Sequence, residues 1–415
     1  MDLEKNIVSK HNTYTKWRKD IHAHPELAFA ETRTADFVAG QLRSFGYDVT
    51  EGVGGTGVVA SLTVGNSDKA IGIRADMDAL PMDELNEFPH KSKIAGKMHG
   101  CGHDGHTVMV LAAAEQLAHA KVFNGTVRFF FQPAEEANDK GSGAKAMVSD
   151  GLFERFPVDC VFALHNAPGL KTGSFATRAG PIMASMDLFD VVIKGKGTHG
   201  AVPQAGIDPV LIAAHMVSAW QSIISRNINP QEAAVISATS ILTGDSWNVI
   251  PEMARIKGGI RALSPMVQKI VKERFLTLTK NIAAGFGANV EIEFTPSYAM
   301  TINDPLQSKF ACEVAASIVG EENVVRNVSP VMGSEDFAFM LAEKPGCYIL
   351  IGNTKPQHGS VKGPDENSIF SGPGLEKISA SSNCMLHDPN YDFNDDILPL
   401  GATFWVRLAQ TYLHE

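Results

Sequence analysis

Five cysteines in 415 residues (Cys101, Cys160, Cys312, Cys347 and Cys384) are too few and too scattered to staple a small secreted fold. Their odd number argues against a disulfide framework and for a reducing, cytoplasmic setting. Long apolar runs are also missing: no stretch of 18 hydrophobic residues exists, which excludes a transmembrane helix and any membrane role that depends on one. The first residues, Met1-Asp2-Leu3-Glu4-Lys5-Asn6, lack the apolar core of a signal peptide. Positive charge is in deficit as well, with 36 Lys and Arg against 46 Asp and Glu and a net charge of −10. No Lys/Arg run or basic helix offsets that balance, so a nucleic-acid partner is excluded. What remains is ordinary globular material, 44% hydrophobic and 20% charged. The length suits two to three domains of roughly 100–200 residues each.

Periodicity sets out an α/β chain. Residues 31–45 read as a helix with Phe37, Val38, Leu42 and Phe45 on one side and Gly46 as its stop. Strands are expected at 58–64 and 70–74, a helix at 107–121, and short, continuously apolar buried strands at 126–132 and 160–164. From about Ser185 the texture changes. Strand 188–194, helix 208–224, strands 234–242 and 254–262, a helix from Ser264-Pro265 to about Ala284, and strand 289–295 follow in order. Serine suits the cap and proline the first helical position of that second helix. The order β-α-β-β-α-β is that of a ferredoxin-like α+β unit. Residues 353–385 then read as a long loop, of the kind that is functional or disordered, and a helix over about 400–413 ends the pattern.

Chemistry concentrates in a few places. Met98-His99-Gly100-Cys101-Gly102-His103-Asp104-Gly105-His106 puts a thiol, three imidazoles and a carboxylate into nine residues. Gln132-Pro133-Ala134-Glu135-Glu136, Leu164-His165-Asn166 and Leu386-His387-Asp388-Pro389 carry more of the same donor types. Thiolate, imidazole and carboxylate together are ligands of a borderline transition metal such as zinc, manganese or nickel. Cys101 and His103, two apart between glycines, can converge on one ion. Adjacent carboxylates point in different directions, so one of Glu135 and Glu136 can bind metal while the other serves as general base. Lone histidines are usually structural, yet His165 and His387 join Cys101, His103 and Glu136 as five potential ligands, enough for two metals if one bridges. Several of these clusters follow strands, where ligands bind in open α/β sheets. With His387 after the ferredoxin-like unit and the other ligands before it, the first domain is expected to be discontinuous.

These segments, with Arg74-Ala75-Asp76-Met77-Asp78-Ala79-Leu80-Pro81, Gly333-Ser334-Glu335-Asp336-Phe337 and Leu386-His387-Asp388-Pro389-Asn390-Tyr391-Asp392-Phe393-Asn394-Asp395, resemble the aminoacylase and hippurate hydrolase branch of the dinuclear metallopeptidases. That branch also includes the plant auxin–amino-acid conjugate hydrolases. The resemblance implies a phosphorylase/hydrolase-like mixed-sheet catalytic domain (1–185 and 297–415) with an inserted lid and dimerisation domain (186–296). It implies Cys101, His103, Glu136, His165 and His387 as ligands of two divalent ions per subunit (zinc, manganese, nickel or cobalt), with Cys101 bridging. Glu135 is then the general base and Asp78 the carboxylate that orients the site, with Asp76 and Asp104 as weaker candidates for that task. His199, in Gly197-Thr198-His199-Gly200-Ala201, looks like the lid histidine that reaches the substrate carbonyl, often from the neighbouring subunit. Asn248 and Arg261 match substrate-contacting lid positions, and an arginine fork suits a terminal carboxylate. The implied partners are a small N-acyl amino acid, whose amide bond is hydrolysed, and further copies of the chain in a homodimer or homotetramer. A dipeptidase or carboxypeptidase on the same scaffold is the second reading, and a catalytically silent metal- or ligand-binding protein a distant third.

Overall fold

A computed structural model describes residues 1–354 and 384–414, so nearly all of the long loop read over 353–385 lies outside the described residues. The chain forms two units: Met1–Ile182 with Thr301–Val331 and Asp336–Glu415, and Met183–Met300 with Met332–Glu335.

The first unit is built on an eight-stranded mixed sheet. Its spatial order is Asp48–Val53, Gly57–Val64, Gly125–Gln132, Ala70–Asp76, Cys160–Lys171, Gly346–Thr354, Phe175–Ala176 and Val324–Val325. The four central strands, from Gly125–Gln132 to Gly346–Thr354, run parallel. They are buried almost throughout, as Phe129, Phe131, Ile71, Ile73, Phe162 and Ile349 illustrate, which explains their unbroken apolar sequences. The helix at 107–121 in the sequence reading in fact spans His103–Ala120. Gly102, left-handed at φ 89, turns the loop straight into the helix, so His103, Asp104 and His106 lie in its first turns. That helix is buried nearly all round, as a helix wedged between a sheet and other helices must be.

In the second unit the strands stand in the order Ala234–Leu242, Met253–Ala262, Ser185–Lys194 and Asn289–Tyr298, all antiparallel. With helices Pro209–Asn227 and Pro265–Gly285, this is the ferredoxin-like arrangement expected from the element order. Inward positions alternate along Ser185–Lys194, and Phe189 packs with Trp220 and Phe275 beneath the sheet. Asp208 caps the first helix by accepting from Val210 N and Leu211 N. Ser264 precedes the second helix without a side-chain capping bond, so proline at its first position starts it unaided.

One ion cluster in the first unit fastens the arm that carries His387. Arg18, wholly buried on helix His11–Ala23, grips Asp395 with Nε at 2.7 Å and Nη2 at 3.0 Å and Asp392 with Nη1 at 2.8 Å. Asp104 stands 3.5 Å from the same guanidinium. Leu85 N donates to Pro389 O, and Tyr391 and Phe393 are buried in the core. Removing one partner of a buried ionic cluster leaves the others uncompensated, at a cost of about 3–5 kcal/mol. Arg18→Met should therefore lose about that much stability in urea unfolding, and Arg18→Lys should recover little because lysine lacks the planar fork. An unchanged midpoint for both variants would show that the arm is held by something else.

Candidate active site

Beyond the carboxyl ends of the central parallel strands, several polar segments of the first unit meet. Strand Ala70–Asp76 leads to Asp78, strand Gly125–Gln132 leads to Glu135 and Glu136, and the turn before helix His103–Ala120 supplies Cys101 and His103. His165 lies inside strand Cys160–Lys171, not after it as the apolar run suggested. Pairing of that strand with Ala70–Asp76 ends at Arg74↔Ala163, so His165 stands just past the paired region.

The five candidate ligands gather. Ligand atoms of Cys101, Glu136 and His387 lie within 4.8 Å of one another, as do those of His103, Glu135 and Glu136. Cys101 Sγ is 3.4 Å from His165 Nε2, and His387 Nε2 is 2.9 Å from Glu136 Oε1. Asp78 ties two of these groups together. Its Oδ1 lies 3.2 Å from His103 Nδ1, its backbone carbonyl 2.9 Å from the same nitrogen, and its Oδ2 accepts the Glu136 N–H at 2.8 Å.

The hydrogen bonds decide which nitrogens have a lone pair to offer. His103 donates from Nδ1 to Asp78, and its buried Nε2 makes no hydrogen bond. His165 donates from Nδ1 to Asn166 O at 2.8 Å, which leaves Nε2 facing the thiol. His106 differs: Nδ1 bonds Asp76 Oδ1 at 2.7 Å and Nε2 accepts the Asn166 N–H at 3.0 Å, so both its nitrogens are used within the protein. It therefore orders the site, although it lies near Asp76, His103 and His165. His99 is fully buried, and burial pushes it down to about 3, so its ring is neutral.

Negative charge is in excess here. Burial, followed by the charges of Glu136, Glu135 and Asp76, pushes the Cys101 thiol well above its ordinary range. Burial works against a charged His103, yet Asp76, Asp78 and Glu136 outweigh it and push that imidazole up to about 10. The cluster thus asks for positive charge. Two imidazoles, a thiol and carboxylates converging in a buried, electronegative place fit divalent cations, which would take over the role of the proton that otherwise charges His103.

Asp76 has its own cation: Arg74 donates to it at 2.6 Å, to Gln132 at 2.8 Å and to Asp336 at 3.1 Å. Sequence reasoning did not single out this brace, nor Tyr391, whose hydroxyl donates to Asn166 Oδ1 while Asn166 Nδ2 donates to Cys101 O at 2.7 Å. A side chain at Gly102 would meet Asn166 Nδ2 at 2.4 Å, so the glycine between Cys101 and His103 serves by its small size as well as its left-handed turn. Glu31, where periodicity predicts the helix to begin, is fully buried and its Oε1 accepts the Ala134 N–H at 2.8 Å.

His199, Asn248 and Arg261 lie in the second unit. His199 pairs with Val249 in a two-stranded ribbon, and Gly200 N donates to Asn248 O at 2.7 Å, which joins the two candidate lid positions in one small structure. Ala201 N donates to His199 Nδ1 at 3.0 Å, so the neutral ring carries its proton on Nε2. Arg261, half-buried, donates from Nη1 to Met332 O at 2.7 Å and to Ser334 Oγ at 3.0 Å, an anchorage the sequence did not suggest.

Known proteins resemble this one along the whole chain. The family model described as peptidase family M20/M25/M40 matches residues 72–371. The hippurate hydrolase of Campylobacter jejuni is 40% identical, with 100% of each chain covered. Thermostable carboxypeptidase 2 of Saccharolobus solfataricus is 37% identical over 93% of this chain and 98% of its own. Among solved structures, Bacillus subtilis YXEP, described as a dinuclear metal-binding peptidase of the M20 family, superposes with a TM-score of 0.79 at 30% identity, covering 98% of this chain and 99% of that one. The protein is a hydrolase and belongs to the peptidase family M20/M25/M40.

Proposed function

We propose that the protein hydrolyses the amide bond of N-acyl amino acids, releasing a carboxylic acid and an amino acid. The observation that carries this reading is the convergence of the His103 and His165 imidazoles, the Cys101 thiol and the Glu136 carboxylate, with Glu135 adjacent in sequence. Similarity to a hippurate hydrolase along the full length supports the substrate class. Cys101, His103, Glu136, His165 and His387 would hold two divalent cations, drawn from zinc, manganese, nickel or cobalt, which when bound supply Lewis-acid polarisation of the amide carbonyl and a more acidic water.

The chain's own residues do the rest. Glu135 accepts a proton from the attacking water at a carboxylate oxygen. The water oxygen bonds to the acyl carbon, the C–N bond breaks, and Glu135 returns the proton to the leaving nitrogen. Asp78 fixes His103 and the Glu136 backbone, so that the site is ordered before substrate arrives. His199 offers Nε2–H to the carbonyl oxygen as negative charge develops there, a contribution of roughly 3–4 kcal/mol for a well-placed donor. Arg261 and Asn248 bind the substrate carboxylate. The second unit acts as the lid and as the surface joining subunits into a dimer or tetramer. Exposed Ile241, Leu242, Val210 and Leu211 on that unit support an interface there. Five free thiols support a cytoplasmic location.

Carboxypeptidase action is the second reading, favoured by the Saccharolobus solfataricus relative. A panel of benzoyl-, acetyl-, long-acyl- and indolyl-amino acids set against dipeptides with a free amino terminus separates the two. Preference for the acylated compounds is expected, and preference for the dipeptides would reverse the assignment. Glu135→Gln should lower kcat by about 10²–10⁴-fold while metal content, measured by elemental analysis, stays at the wild-type level; full turnover would remove Glu135 from the mechanism. Mixing inactive His199→Ala and Glu135→Gln proteins should restore part of the activity if the site is shared between subunits. No recovery, with subunit exchange demonstrated, would place His199 in the same chain as its base.

A further inference from the structure

Among the described residues, Phe29 (φ 61) and Ala134 (φ 53) are two non-glycine positions with a left-handed backbone. Both give their N–H to the same atom. Oε1 of Glu31 accepts from Ala134 at 2.8 Å and from Phe29 at 3.1 Å, and its other oxygen accepts the Thr56 hydroxyl. Glu31 stands at the start of helix Thr32–Phe45 without capping it. Glu26 meets that need, accepting from Arg33 N at 3.0 Å and Thr34 N at 2.9 Å. The Glu31 carboxylate is thereby committed to a residue 103 positions away.

An L-residue in the left-handed region sets its Cβ against its own carbonyl oxygen, and it stays there only where the surroundings over-determine it. Ala134 meets that condition, because its N–H is held by Glu31 and its carbonyl accepts the Gly143 N–H at 3.0 Å. A side chain at Gly143 would fall 1.6 Å from Pro133 O, so the start of helix Gly143–Ser149 can approach so closely only as glycine. On the other side of Glu135, the Glu136 N–H is fixed by Asp78 at 2.8 Å. The backbone is thus anchored immediately before and immediately after Glu135.

We propose that Glu31 is a positioning residue for hydrolysis: by holding Ala134 in its left-handed conformation, it aims the Glu135 carboxylate at the attacking water. This inference rests on the reading of Glu135 as the base. Burial pushes Glu31 up to about 7, so glutamine is a close mimic of its neutral form and keeps the oxygen that Ala134 requires. Misplacing a reacting group by about 1 Å can cost on the order of 100-fold in rate.

The test compares Glu31→Ala, Glu31→Leu and Glu31→Gln in the metal-loaded protein. The alanine variant should bind wild-type amounts of metal and keep its KM, while kcat falls by about 10–100-fold; Glu31→Gln should recover kcat to within a few-fold of wild type. On a Glu135→Gln background, Glu31→Ala should add little further loss, since a residue acting through the base has nothing left to aim. Should the alanine variant not fold, the leucine variant, which fills the volume but accepts no hydrogen bond, carries the same expectation. Wild-type kcat in a folded Glu31→Ala or Glu31→Leu protein, multiplicative losses in the double variant, or failure of both to fold would each overturn the proposal. A fully active Glu135→Gln protein would instead overturn the underlying assignment of the base.

Discussion

Too much negative charge in too little water is the condition that organises the first unit. Asp76, Asp78, Asp104 and Asp336 all sit buried near the carboxyl ends of the parallel strands, with Glu135 and Glu136 close by. An unpaired carboxylate in such a place is costly, so each acquires a partner. Arg74 serves Asp76 and Asp336, Arg18 and His22 serve Asp104, and His103 serves Asp78. Those pairings fix the strand ends and the loops between them. The part of the cluster around Cys101 and Glu136 remains electronegative, as the upward displacement of the thiol and of His103 records. A hydrolase that works with divalent cations needs such a place, and here it arises from the same charges that hold the loops.

The second recurring device is backbone held where L-residues rarely go. Ala134 precedes the paired glutamates, and His387 itself has φ 66. Each is tied by backbone hydrogen bonds, Ala134 to Glu31 and Gly143, His387 to Gly100 through its own N–H at 2.8 Å. Carbonyl, amide and carboxylate contacts thus set directions that side-chain packing alone would leave loose.

Much of this was legible in the sequence. Buried parallel strands announce themselves through unbroken apolar runs such as Thr126 to Phe131, and the ferredoxin-like unit through its element order and the Ser264-Pro265 helix start. Cys101, His103, Glu136, His165 and His387 could be named because thiol, imidazole and carboxylate cluster in short motifs. What stayed hidden depended on distant partners. The start of the helix at His103 is obscured because Gly102, Gly105 and three polar residues read as loop, whereas the left-handed turn at Gly102 leads straight into the helix. Nothing near Glu31 hints that it reaches Ala134, and nothing near Arg261 hints at Met332 and Ser334. Apolar periodicity stops at Leu164 and so sets His165 after its strand, although the pairing with Gly346–Thr354 carries on through it.

The clamp between Arg18 and the arm that follows His387 has a consequence for how the protein comes into being. A nascent chain that has emerged only to residue 386 holds Cys101, His103, Glu136 and His165 but not His387, the fifth candidate donor. It also carries a buried-type arginine whose carboxylates at 392 and 395 have yet to be synthesised. Contacts across some 370 positions close late because the intervening loop must first be gathered in. The clamp, and with it the support of the arm that carries His387, is therefore complete only once residues 392 and 395 have been made.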